Sequence, residues 1–149
     1  MVKMRRFAAA FLAVLAVTFS GVLVAPVASA AVLACTHTHI TYGSGDRSGL
    51  KPIGLRSGSY PTFDCYMSST LGSPAAIKAL QRAYNYCYAG RFSGDWISVD
   101  GVYGGQTEYA VRVIQSAEGL VPTDGLYGPA TASRLRVYDS NGGTGTCFG

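Results

Sequence analysis

The sequence predicts a small all-α domain, a three-helix bundle preceded by an irregular, disulfide-tethered N-terminal arm. Three observations carry this expectation. Apolar residues recur at helical spacing in three stretches, beginning near Pro74, Gln106 and Pro129. Residues 100–113 repeat as residues 124–137. Residues 31–71, rich in Gly, Ser, Thr and Tyr, show no helical period. A chain of 149 residues has room for one ordinary domain and little else.

The segment 1–30 stands apart. Lys3, Arg5 and Arg6 precede an apolar run from Phe7 to Val24, which ends in Pro26 and the small-residue triplet Ala28, Ser29 and Ala30. A positive start, an apolar middle and an A-x-A end describe a secretory signal peptide. Its three cations account for most of the formal charge of +4, leaving about +1 on the rest of the chain. The basic balance therefore belongs to targeting and excludes a nucleic-acid or anionic-membrane surface. The mature protein is expected to be secreted or cell-wall associated, monomeric, and off the membrane once the signal is cleaved. Val32 to Cys35 also resembles a lipoprotein box, so lipidation of Cys35 stands as the alternative to its oxidation.

Cys35, Cys65, Cys87 and Cys147 all follow the cleavage point. An even number in a short exported chain reads as two disulfides, with three pairings open. In the arm, 31–71, Thr36 to Tyr42 alternates in a way that suits a short strand, and Gly43, Gly45, Gly49, Gly54 and Gly58 are expected to break the segment repeatedly. From 72 to 149 the character is helical. Ser73 suits an N-cap and Pro74 the first helical position. Ile77, Leu80, Tyr84 and Cys87 share one face of a helix over about 74–88, with Gly90 as its stop. A second helix runs over about 106–118, with Ala110, Val113, Ile114 and Ala117 inward. A third runs over about 129–138, with Leu135 and Tyr138 inward. Trp96, between the first two, is expected to plug the core.

Aligned at an offset of 24, residues 100–113 and 124–137 are identical at seven of fourteen positions. Such a repeat implies one supersecondary unit used twice. Asp100-Gly101 and Asp124-Gly125 favour tight turns with a left-handed residue. Tyr103 and Tyr127 are expected to lie over those turns. Thr107 and Thr131 fall in the first helical turn, where a hydroxyl can bond back to the loop carboxylate.

These features resemble the peptidoglycan-binding domain family of cell-wall hydrolases. The resemblance spans about Thr70 to Tyr138 and rests on Ile77-Lys78-Ala79-Leu80-Gln81, on 100–115 with its Ile114-Gln115 pair, and on 124–135. Gly105 and Ala130 depart from the family's usual proline and polar residue, and Ile114 from its usual phenylalanine. The resemblance implies a three-helix fold that binds bacterial peptidoglycan without cleaving it. Its shallow groove of loops and helix starts would carry Asp100, Tyr103, Gln106, Thr107, Asp124, Tyr127 and Thr131. An inhibitor or regulator of a wall hydrolase, reusing the fold and engaging that partner through the arm, is the alternative of another class.

No enzyme is expected. Only about 40 mature residues precede the family-like stretch, too few for a separate catalytic core. His37 and His39 sit beside a cysteine without the three ligands and supporting carboxylates of a zinc hydrolase. No metal and no cofactor is implied.

Overall fold

The structure, a computed structural model, describes residues 31–149 apart from 44, 46, 57–59, 94 and 141–145. The signal segment, 1–30, and the break at Gly58 lie outside the described residues. Residues 31–149 form one compact unit.

The architecture is mixed α and β, which corrects the all-α expectation. Among the described residues three α-helices share the core with two small sheets. The arm is not irregular. Strands β1 (His37–Tyr42), β2 (Ser48–Arg56) and β3 (Tyr60–Thr62) form an antiparallel sheet in the order β1-β2-β3, with His37 opposite Ile53, Tyr42 opposite Ser48 and Gly54 opposite Thr62. The alternation over 37–42 does form β1. Gly49 and Gly54, expected as breaks, lie within β2, and their role is close approach. A Cβ at Gly49 would sit 2.6 Å from Val137, and one at Gly54 would sit 2.8 Å from Leu33. Strand interiors accept glycine where another segment must come this near. The buried Cys35–Cys65 disulfide closes the sheet's ends. Beside it, Cys35 N–H donates to Tyr66 O at 3.0 Å and Tyr66 N–H to Leu33 O at 2.9 Å.

Helix α1 (Pro74–Tyr84) begins as its sequence dictates. Pro74 occupies the first turn, and Ser73 Oγ accepts from Ala76 N–H at 3.3 Å while donating to Thr36 O at 2.7 Å. The cap therefore also ties the helix to the start of β1. Ile77, Leu80 and Tyr84 are buried, as their spacing requires. The helix does not stop at Gly90. It widens into π-type turns over Asn85–Ser93, which carry buried Cys87 into a disulfide with Cys147.

Helix α2 (Gly105–Ala117) buries Ala110, Val111 and Ile114, and Val113 and Ala117 pack against that core from its margin. Helix α3 (Pro129–Arg134) is shorter than its pattern suggested. It ends where Leu135 turns extended (ψ 119°), and Val137–Tyr138 become strand β4, paired with β5 (Cys147–Phe148). The physical reason is tertiary: the Cys87–Cys147 disulfide holds β5 where β4 can pair with it, and β4 also lies against β2. Leu135 is buried as expected, whereas Tyr138 is only half-buried.

Candidate functional site: two glutamine-anchored loops

The repeated sequence builds one device twice. In each copy a glutamine on the preceding helix reaches under an Asp-Gly turn and bonds it from below. Gln81 of α1 is fully buried, and its Nε2 donates to Asp100 Oδ1 at 2.8 Å, Thr107 Oγ1 at 3.0 Å and Val102 O at 3.2 Å. Its Oε1 accepts from Gly101 N–H at 2.9 Å. Gln115 of α2 repeats the pattern, donating to Asp124 Oδ1 at 2.8 Å, Leu126 O at 3.1 Å and Thr131 Oγ1 at 3.5 Å, and accepting from Gly125 N–H at 2.9 Å. Asp100 Oδ1 also accepts from Val102 N–H at 2.8 Å, and Asp124 Oδ1 from Leu126 N–H at 2.9 Å.

Both turn glycines are left-handed, with φ of 82° at Gly101 and 77° at Gly125. A Cβ there would also lie 3.0 Å from Pro74 O and from Glu108 O respectively. The loops are thus seated directly on the helices, and only glycine fits.

The hydrogen bonds set the carboxylate chemistry. The N–H of Val102, then the amide of Gln81, hold the Asp100 carboxyl below the ordinary aspartate range. At Asp124, desolvation pulls upward, but the N–H of Leu126 and the amide of Gln115 outweigh it, so its pKa is also lowered. Both residues are ionised acceptors at neutral pH.

The residues singled out from sequence divide into two sets. Asp100, Gln106 and Asp124 are exposed on the rims of the loops. Tyr103, Thr107, Tyr127 and Thr131 are inside the fold. Tyr103 does not offer its ring outward. Its hydroxyl crosses from the first loop to the second, donating to Gly125 O at 2.7 Å and accepting from Tyr127 N–H at 3.1 Å. Tyr127 is fully buried, and its backbone also pairs with Met67, through Met67 N–H to Tyr127 O at 2.9 Å and Tyr127 N–H to Met67 O at 3.2 Å. The hydroxyl of Thr107 donates to Val102 O at 2.8 Å instead of to the carboxylate, with the glutamine amide standing between them. Another buried phenol, Tyr88, donates to Glu118 at 3.1 Å and accepts from Arg136 N–H at 2.8 Å.

One open groove lies at the second loop and another at the start of α2, directly after the first loop. The second groove, about 410 Å³, runs between Tyr66, Val121, Asp124, Leu126 and Ala130. The first, about 440 Å³, lies between Asp95, Trp96, Gln106 and Tyr109. Trp96 is not the plug. It is 62% exposed, and the neighbouring Ile97 enters the core instead. Among the described residues, no three of the His, Cys, Asp and Glu side chains gather as metal ligands, and His37 and His39 are exposed on β1.

Sequence reasoning missed the glutamines as the centre of the device. The signal was present: Gln81 falls four residues after Ile77 and three before Tyr84, inside an otherwise apolar stripe, and Gln115 stands four after Val111. A polar side chain on an inward face must find partners there.

Asp-Gly loops each fixed by a buried glutamine, set in a small mixed α and β domain, give it open grooves over a rigid floor. Residues 73–135 match the model of the peptidoglycan binding domain family. The chain is also similar to the "Uncharacterized protein in bpoA1 3'region" of Kitasatospora aureofaciens, at 37% identity over 122 residues, which covers 80% of this chain and 95% of that protein. No solved structure matches it. The family match supports peptidoglycan as partner, and with the two disulfides it is consistent with a place outside the cell or in the wall.

Proposed function

We propose that this protein is a non-catalytic module that attaches to bacterial peptidoglycan through the outward rims of its two Asp-Gly loops. The single observation that carries the reading is the division of labour within the repeat: buried Gln81 and Gln115 immobilise the loops, while Asp100, Gln106 and Asp124 stand exposed, the last two lining the grooves. Rigid backbone under exposed acceptors and amides lowers the ordering cost of binding. The binding domain is 72–149, acting as a monomer after export and removal of 1–30. Tyr103, Thr107, Tyr127 and Thr131 serve the site by shaping the loops.

Co-sedimentation of the oxidised protein with purified sacculi tests this. Saturable pelleting is expected, weakened several-fold by Gln106→Ala and Asp124→Ala, with no fall in the turbidity of the wall suspension. An absence of pelleting at tens of micromolar would sink the reading. Clearing of the suspension would sink its non-catalytic half.

A further inference from the structure

The first-loop groove, at the start of α2, is lined by Trp96 and Tyr109, and ring contacts continue from Trp96 to Tyr86 and Tyr138, a row that the loop repeat does not explain. Tyr86 stacks on Tyr138 with ring centroids 4.5 Å apart, and meets Trp96 edge-on at 5.4 Å. Tyr109 faces Trp96 across the groove. Tyr86, Trp96 and Tyr109 are all well exposed. Contiguous exposed aromatics on a small domain mark a binding surface.

The chain invests in holding this row still. The backbone on either side of Trp96 is pinned from within: Tyr84 Oη donates to Asp95 O at 3.1 Å, and buried Asn85 brackets Ile97, donating to its O at 2.8 Å and accepting from its N–H at 2.9 Å. Tyr86 precedes Cys87, Tyr138 pairs with Cys147 across β4 and β5, and those cysteines are joined. The disulfide therefore underlies the stacked pair. A loop fixed this firmly would ordinarily point its tryptophan inward. Here the same bonds bury Ile97 and leave Trp96 outside.

The chemistry along the row is that of a saccharide track. Aromatic rings cover the C–H faces of pyranoses while nearby polar groups bond the hydroxyls. Asp95 and Gln106 flank Trp96, supplying an acceptor and an amide. Among the described residues Asp95 is the only charged group lining that groove, so a carboxylate-bearing peptide would find no cation there. Tyr86 and Tyr138 also line a mainly apolar cleft of about 180 Å³, shared with Leu50, Ala83, Val137 and the cation Arg82, whose apolar part suits the methyl of an acetamido group.

We infer that the glycan strand of peptidoglycan, not its stem peptide, is the ligand of the first-loop groove, lying along Tyr138, Tyr86, Trp96 and Tyr109. This rests on the wall-binding reading above and specifies which part of the polymer is held. Trp96 is the chain's one tryptophan, so its emission reports the site directly.

The test titrates peptide-free glycan strands, prepared by stripping sacculi with an amidase, into the oxidised protein while following Trp96 emission. A saturable change is expected. Trp96→Ala and Tyr86→Ala, followed by pelleting with intact sacculi, should weaken binding about tenfold or more, with Trp96→Phe retaining most of it. If intact sacculi pellet the wild type and Trp96→Ala alike, and stripped strands leave the emission unchanged, the glycan assignment falls while wall binding stands. Competition by free stem peptides, but not by stripped strands, would overturn it in the same way. Failure of intact sacculi to pellet the wild type would remove both.

Discussion

The two Asp-Gly loops share their sequence, glutamine anchor and turn geometry, yet they sit in different surroundings. The first is the tighter. Its threonine lies 3.0 Å from the glutamine amide and donates onward to Val102 O, whereas the second threonine lies 3.5 Å from its glutamine. The first leads into a helix start that shares a groove with Trp96 and Tyr109, while the second is bordered by Tyr66, contributed by the segment after β3, and pairs through Tyr127 with Met67. The identity also runs past the point where structure stays equivalent. Arg112 and Val113 continue α2, but their counterparts Arg136 and Val137 have left α3. The repeated sequence builds two similar floors, and the rest of the chain furnishes them differently.

The largest expected effects come from removing the support behind each loop. In the chain-entropy picture each disulfide contributes roughly 4 kcal/mol for loops of 30 and 60 residues. Replacing Cys87 and Cys147 by serine should lower the denaturation midpoint and change the emission of Trp96. Replacing Cys35 and Cys65 should lower the midpoint comparably yet leave Trp96 nearly untouched. Equal emission changes in both would mean that the two regions are not separately supported.

Removing the anchors should cost somewhat less. Gln81→Ala leaves Gly101 N–H and Asp100 without their buried partner, at about 2–3 kcal/mol by urea unfolding. Gln115→Ala should cost less than Gln81→Ala, because its threonine contact is the longer one. The opposite order would show the distances to be a poor guide to the strengths of the two loops. Alanine at Gly101 or Gly125 should cost about 1–2 kcal/mol through the left-handed backbone alone, with a similar value at both sites.

The smallest effect is on acid stability. Because the folded pKa values of Asp100 and Asp124 are lowered, their contribution is present above the unfolded value near 4 and is lost as the pH falls through the folded values. Asp124→Asn should therefore flatten the stability profile below about pH 4 and leave it unchanged at pH 7 apart from a constant offset. An unaltered acid limb would mean that this carboxylate does not drive it.

The legible parts of the fold were the local ones. Ser73-Pro74, the Asp-Gly turns and the apolar face of α1 announce themselves within a few residues, because capping, left-handed turns and helical spacing are short-range physics. Of the sheets only β1 was legible, from the alternation over 37–42. Gly49 and Gly54 look like breaks until Val137 and Leu33 are seen to need their space, and α3 ends early because a disulfide far along the chain places β5 beside β4. At the site, sequence identified both loops but not the direction of their side chains. A tyrosine after an Asp-Gly turn serves equally as ligand platform or as strut, and which one it is depends on what packs above it. For Tyr103 that is the other loop, and Trp96 and Ile97 exchange roles for the same reason.

The hydroxyl of Tyr103 carries a last consequence. By receiving Tyr127 N–H and giving its proton to Gly125 O, it makes the opening of one repeat impossible without exposing polar groups in the other. The two repeats are therefore expected to open as a single foldon, with the amides of Gly101, Gly125 and Tyr127 exchanging with deuterium as one population.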